Sequence, residues 1–517
     1  MSLDQVCVST RHTLNCANEA TVATLESPFS LGPMDHIVPA TLTIEAILVY
    51  RKPTPIPEDN FIPIERFKMA VSYLLDYYPH LTGRLQQNPT SQASEIGSLG
   101  TGAEIWEAQC PRRLANIAVS ALSARILVIK LPDDGHALLP IFHSAIGSVS
   151  HNPIFAIQHT RFGCGGVALG VRVHHLVCDA TGFMQLMRDL AEVYRQLRDS
   201  STPTLIFPPE IYSHFPGLSS PSGRDKEKAL AFNPPHFYID KGTTDTPETS
   251  NPPYDISDAS TAPSVYACPL RFQSQDLVSL KEAATDPNAQ RQTSFTRFEL
   301  ISAYLFQRTY QARLKVMRDK GDTPDPNSLQ SLRGFWTTMD MRHPARMKLP
   351  RRYFPNAIHI PSTFASHELL KNGALWQVAQ FIHDAIHSVD IEEVKKEFEW
   401  IASQPNKSHI KRKNVVPNGS FIASQWSRGK NYLGVDFELA PNGKRIGPSL
   451  VSPAFSEHHR VDGLAIIMSS EEGVPPRRQF DQNPGEKLPL AVDVNLALDR
   501  PVWNVLNSDL DFLALHS

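Results

Sequence analysis

The sequence predicts a mixed α/β protein built as two domains, and three observations point there. Its 517 residues, 41% of them hydrophobic, are too many for one compact core and suit two of ordinary size. Residues 201–264 hold eleven of the chain's 42 prolines among Ser, Thr, Asp and Asn, a composition that excludes a regular helix or a central strand. This stretch reads as a long surface crossover, leaving expected domains at 1–200 and 265–517. On both sides of it, strand-like and helix-like patterns mix.

In the first half, Phe67 to Tyr78 reads as an amphipathic helix leading into PHLTGRL (79–85), and VALGVRVHH (167–175) reads as a mostly buried strand. From Thr181 to Arg198, Phe183, Leu186, Met187, Leu190, Tyr194 and Leu197 recur at three- and four-residue spacing, which predicts a helix packed on that face. In the second half, Phe295 to Leu314 again reads as helix. GLAIIMSS (463–470) and LAVDVNLAL (490–498) read as strands, the latter with the alternation of a half-buried one.

Lys and Arg total 50 against 53 Asp and Glu, a net charge of −3, so no broad basic field invites nucleic acid or an anionic membrane. A small or neutral partner is expected. The six cysteines form no CxxC pair and no zinc spacing, which fits a reducing compartment without disulfides or a structural metal. The N-terminal residues lack a signal-peptide pattern, and no apolar run reaches about 18 residues. The expectation is a cytoplasmic monomer without a membrane span.

The run GCGGVALGVRVHHLVCDATG (163–182) carries the chemistry, because it delivers paired histidines from a strand end into a turn before a helix. His175 and Asp179 make an HxxxD pattern, but with 20 histidines about one such match is expected by chance, and the chain holds three. His236 with Asp240 and His458 with Asp462 serve as internal controls and read as structural residues. Only the match at 175 combines Gly165 and Gly166, an apolar strand, the doubled His and an Asp-Ala-Thr-Gly entry into a helix.

A neutral imidazole there can take a proton from a bound hydroxyl or amine attacking an activated acyl group, then protonate the leaving group. His175 is therefore the candidate general base. Asp179 could orient that imidazole or hold the turn by pairing with a distant Arg, and spacing does not decide. Adjacent strand histidines point to opposite faces and no HExxH accompanies them, so no metal is expected. GxSxG is absent, Gly163-Cys164-Gly165 fails as a dinucleotide fingerprint at Ala168, and Cys178 reads as a small buried filler.

These residues resemble the BAHD acyltransferase superfamily, in particular its fungal branch with the trichothecene 3-O-acetyltransferases. The resemblance runs from LGPMDHI (31–37) and PHLTGRL, similar to the family's PLAGRL, through residues 157–182 with its HxxxDG motif. It continues through SFTRFELISAYLFQRTYQAR (294–313) and DMRHPARMKLPRRYFPN (340–356). It implies two similar α/β domains of the chloramphenicol-acetyltransferase type, each a mixed sheet flanked by helices, with an active-site channel between them. Arg342 is the implied partner of Asp179, and Asn356, Gly182 and Asp436 are implied supports of the site.

Two departures stand out. Ala180 replaces the last Gly of HxxxDG, and the family's DFGWG is reduced to VDFELAPNGK (435–444), which keeps Asp436 and Phe437. Ser424 and Trp426 resemble the family's Ser-Trp and, with Lys444, are candidate contacts for coenzyme A; the basic runs HIKRKN (409–414) and Lys444-Arg445 have two readings, contact with the phosphates of coenzyme A or plain solvated faces.

The resemblance thus implies acyl-CoA, acetyl-CoA foremost, as co-substrate and no permanently bound cofactor. The expected acceptor is a small-molecule alcohol or amine, a hydroxylated terpenoid or polyketide, chosen by side chains of both domains and loops such as 134–155. Condensation domains, which share HHxxxDG and take acyl groups from carrier proteins, carnitine-type acyltransferases and a non-catalytic binding protein of the same fold are the competing readings.

Overall fold

Two six-stranded mixed sheets organise the chain. The structure, a computed structural model, describes residues 5–515 apart from 55, 58–60, 121–122, 144–145, 200–201, 214–222, 241–264, 290–292, 323–328, 414–418, 427–431 and 471–490. Much of the expected crossover therefore lies outside the described residues.

The strands are β1 (Cys7–Leu14), β2 (Thr43–Tyr50), β3 (Ala103–Cys110), β4 (Phe155–Phe162) and β5 (Val167–His174), then β6 (Val265–Phe272), β7 (Gly334–Thr337), β8 (Ser362–Phe364), β9 (Phe421–Gln425), β10 (Leu450–Ser452), β11 (Leu464–Ser469) and β12 (Val492–Asp499). The first sheet runs β1-β3-β4-β5-β2-β10 and the second β6-β12-β11-β9-β7-β8. Each mixes parallel and antiparallel pairs: β3 with β4 and β9 with β11 are parallel, whereas β5 is antiparallel to both its neighbours. β5 is buried along its whole length because it lies inside its sheet, which explains its mostly apolar sequence, and its one charged residue, Arg172, pairs with Glu45 of β2.

β10 comes from the second half of the chain yet pairs with β2, so the boundary expected at 265 does not separate the two sheets. The alternation in LAVDVNLAL also has a different cause from the one expected. β12 is buried on both faces, between β6 and β11. Its polar positions face protein: Asn495 Nδ2 donates to Ser452 Oγ of β10 at 2.9 Å, and Asp493 accepts two hydrogen bonds from Arg271, both at 2.7 Å. The polar half of the pattern therefore faces protein partners rather than water.

Helices α1 (Ile64–Leu75) and α2 (Ala180–Gln196) pack together, burying Phe67, Val71 and Leu74 of one and Phe183, Leu186, Leu190 and Tyr194 of the other. α1 ends earlier than expected because Pro79 disfavours helix in the preceding residue, and the chain turns through Pro79–Thr82 instead. Within the crossover, the proline-free RDKEKALA forms α3 (Arg224–Ala231), so that stretch does hold a regular helix. α4 (Arg297–Asp319) is buried over most of its length, opens with a Thr296–Glu299 capping box, and packs with α5 (Leu375–His387) in the second core. All six cysteines are free, and among the described residues no helix is long and apolar enough to cross a membrane.

Candidate active site

β5 ends at His174, and the chain then turns through Leu176–Cys178 into α2. The two histidines part there. His174 is buried, lies edge-on to Phe142, and burial lowers its pKa to about 3. His175 is only partly buried and lines a cavity of about 200 Å³. Its Nδ1 is buried without a hydrogen-bond partner. Burial first of all lowers its pKa below the ordinary histidine value, so the ring is neutral at pH 7.

Asp179 faces away from that ring's chemistry. Its Oδ1 caps α2 by accepting from the amides of Thr181 (3.0 Å) and Gly182 (3.1 Å), and its Oδ2 accepts from the Ala357 amide at 2.8 Å. Arg342 adds Nη1 to Oδ2 at 2.8 Å and Nη2 to Oδ1 at 3.0 Å. The remaining Arg342 donors go to Asp340 and to the carbonyls of Tyr353 and Pro355. Burial alone would lower the Arg342 pKa, but Asp179 and Asp340 hold it above its usual value. Of the two roles open to Asp179, the geometry is that of the turn-holder, so the expectation of a catalytic part for it beside His175 is corrected to a positioning one.

Asn356 closes a second link. Its Nδ2 donates to the His175 carbonyl at 2.8 Å and to Asp35 Oδ1 at 2.9 Å, while Asp35 Oδ2 accepts from Gly32 N and Ser213 Oγ. Burial pushes the Asp35 pKa up to about 6 against these hydrogen bonds. Gly182 is required by close approach: a Cβ there would fall 2.3 Å from the Phe354 carbonyl oxygen. Cys178 is fully buried and burial pushes its thiol far up, as befits a filler.

The cavity wall comes from both halves. Leu42, Thr43, Ile44 and residues 179–181 face Thr338, Asp340, Ile358, Ser424, Gln425 and Trp426. His458 and His459 line it too, so the structural reading of the match at 458 is overturned for its histidine. Asp462 of that match behaves as the control reading expects: it pairs with Arg313 and accepts from the Asp499 amide. His236 likewise pairs with buried Glu397. His459 Nδ1 lies 3.2 Å from Glu45 Oε1. Glu45 is buried on β2; burial alone would raise its pKa, but Arg172 at 2.7 Å, with His459 and Ser456, holds it well below the usual carboxylate range.

Four sequence-based placements lie away from this cavity. Lys444 is exposed on the hairpin joining Glu438–Leu439 to Arg445–Ile446, outside the cavity lining. Asp436 meets Arg195 (3.2 Å) and Arg445 (3.1 Å), and so holds the far end of α2, about 22 Å along the helix from Ala180, rather than the site itself. Of the basic run at 409–414, Ile410–Arg412 form an edge paired with Phe237–Ile239, and none of its described residues lines the cavity. No described residue of 134–155 lines it either. A second cavity shares Thr181 with the first and is walled by Gln185, Arg188, Phe207, Arg351 and Arg352. Sequence reasoning missed these arginines, Asp35 and the pair at 458–459. Arg351-Arg352 beside YFPN, Asp35 within LGPMDHI and the HxxxD match at His458 were the available signals.

The Transferase family matches residues 11–469, nearly nine-tenths of the chain. This chain belongs to the BAHD acyltransferase family. The BAHD fold is also that of vinorine synthase, whose crystal structure aligns with TM-score 0.65 at 15% identity over 99% of both chains. TRI101 of F. sporotrichioides, crystallised with coenzyme A and T-2, aligns with TM-score 0.62 at 16% identity over 94% of this chain and 98% of that one. Among BAHD sequences, taxadien-5-alpha-ol O-acetyltransferase of Taxus chinensis is 31% identical over 156 residues, 29% of this chain and 32% of that enzyme. The match thus spans about a third of that relative's length. Shikimate O-hydroxycinnamoyltransferase of Nicotiana tabacum is 23% identical over 76% of this chain and 80% of its own.

Proposed function

We propose that this protein transfers an acyl group, acetyl foremost, from acyl-CoA to a hydroxyl of a secondary metabolite such as a terpenoid or polyketide. The observation that carries the reading is His175: a neutral imidazole on the wall of a cavity built by both halves of a BAHD fold. In this reading His175 Nε2 takes the hydroxyl proton as the oxygen attacks the thioester carbonyl. The resulting tetrahedral adduct collapses by breaking the C–S bond, and the imidazolium returns the proton to the departing CoA thiolate. No acyl-enzyme forms, and Asp179, Arg342 and Asn356 act only by holding the turn.

The donor's phosphates fit the second cavity, where Arg188, Arg351 and Arg352 gather positive charge and Thr181 leads into the first. This site replaces Lys444 in the reading of the coenzyme A contacts. The apolar wall of Ile44, Ile358, Ile422 and Ile466 suits a hydrocarbon acceptor skeleton. The motif resemblance to the trichothecene 3-O-acetyltransferases supports a place in the fungal branch. We place the enzyme in the cytoplasm as a monomer, in keeping with six free cysteines.

Incubation with acetyl-CoA and a panel of hydroxylated terpenoids and polyketides, read as free CoA thiol, tests this. Acceptor-dependent thiol release supports it. Absence of release with acetyl-CoA and with longer acyl-CoAs defeats it.

A further inference from the structure

Outside the cavity, three side chains of the second half converge on one point. Glu299 lies in the first turn of α4 and is buried; its Oε2 accepts from the Thr296 amide at 2.6 Å, completing the capping box. Its other oxygen, Oε1, faces two imidazoles from the last turns of α5: His383 Nδ1 at 3.0 Å and His387 Nε2 at 3.2 Å. Their rings stack with centroids 4.0 Å apart. One potential ligand atom from each of the three residues lies within 4.8 Å of the other two.

We propose that Glu299, His383 and His387 form a binding site for a divalent transition metal of the zinc class. Around a tetrahedral zinc with bonds of about 2.0–2.1 Å, ligand atoms stand roughly 3.3 Å apart, close to the 3.0 and 3.2 Å at which the two imidazole nitrogens already meet Oε1. Two histidines four residues apart on one helix present both rings to the same point, and imidazole with carboxylate is a donor set zinc accepts. His387 is more than half exposed in its side chain, so the fourth position opens to water. The carboxylate is already fixed by its capping bond, which pre-orients Oε1 toward the ion.

Bound metal replaces the two imidazole N–H contacts to Oε1 with direct bonds. It offsets the buried carboxylate charge and ties the start of α4 to the end of α5. The expectation from sequence was no metal. The chain has neither CxxC nor HExxH; this set joins an H-x3-H pair to a glutamate 84 residues before His383.

The test is zinc titration of the chelator-stripped full-length protein by calorimetry, with cobalt absorption as a second reading. The wild type is expected to bind one tight equivalent, to gain thermal stability with it, and to give the visible bands of tetrahedral cobalt. His387→Ala, at a half-exposed position that the fold tolerates, should weaken that equivalent by at least about tenfold, the scale seen even for losing a group beside a ligand. It should also abolish the zinc-dependent thermal shift. Glu299→Gln should do the same where circular dichroism matches wild type. No saturable single equivalent in the wild type, or an unchanged equivalent in His387→Ala, overturns the proposal and leaves a capping cluster alone.

Discussion

Arg342 meets Asp179 through two parallel hydrogen bonds, Nη1 to Oδ2 at 2.8 Å and Nη2 to Oδ1 at 3.0 Å, joining segments 163 residues apart. Both side chains are almost fully buried, at 10% and 4% exposure. The carboxylate caps the helix that follows His175, and the guanidinium satisfies two carbonyls of 353–355, so the pair sets where the His175 turn lies against the second half.

Breaking the pair leaves a buried charge without its partner. Asp179→Ala or Arg342→Met should each lower stability by about 3–5 kcal/mol, read as the urea midpoint. The double variant should cost clearly less than the sum. Additive losses would show that the two side chains do not act as a unit.

Gly182→Ala places a methyl against the Phe354 carbonyl, at 2.3 Å before relaxation. A stability loss of about 1–3 kcal/mol is expected in thermal or urea unfolding. A neutral result would mean that α2 does not press on 354.

His80, His174 and His359, with pKa lowered to about 3, and His36 and His159, lowered to about 4, stay neutral when folded. Burial is the first cause in each. Below pH 6.5 the unfolded chain binds protons that these five cannot accept, so stability falls as pH drops from 6.5 toward 4. Asp35, raised to about 6, acts in the opposite sense, its contribution being full below 3.8 and lost as pH rises through 6; Asp76, Asp134 and Asp189, also raised by burial, act with it, whereas His175 and His458, lowered by burial, and Glu45, held low by Arg172, add to the five. Urea unfolding at pH 5 should therefore show at least about 2 kcal/mol less stability than at pH 7. Equal values at the two pH values would refute the neutral-burial account.

Arg351 is exposed beside the second cavity. Arg351→Ala should raise KM for acyl-CoA about tenfold, the scale of one charged hydrogen bond, with little change in KM for the acceptor. Added salt should shrink the difference. An equal rise for acceptor and donor would place the phosphates elsewhere.

The motif at 163–182 was legible because one continuous segment supplies the strand, the turn and the helix cap. Periodicity likewise located α2 and α4, where an apolar stripe meets a single core. What escaped was assembled from distant segments. β10 crosses into the first sheet, so no local pattern marks it. His459 gains meaning only from Glu45, 414 residues earlier, and Asp35 only from Asn356. Lys444 was singled out by charge alone, and charge on a hairpin turn reports exposure as readily as binding.

The central claim is that His175 is the base. The most direct measurement compares wild type and His175→Ala at equal folded concentration, in acyl-CoA turnover with an accepted hydroxylated acceptor. The account predicts a fall in kcat of about 10² to 10⁴ with unchanged stability and little change in KM for acyl-CoA. Equal kcat in the two proteins would contradict it and remove His175 from the chemistry.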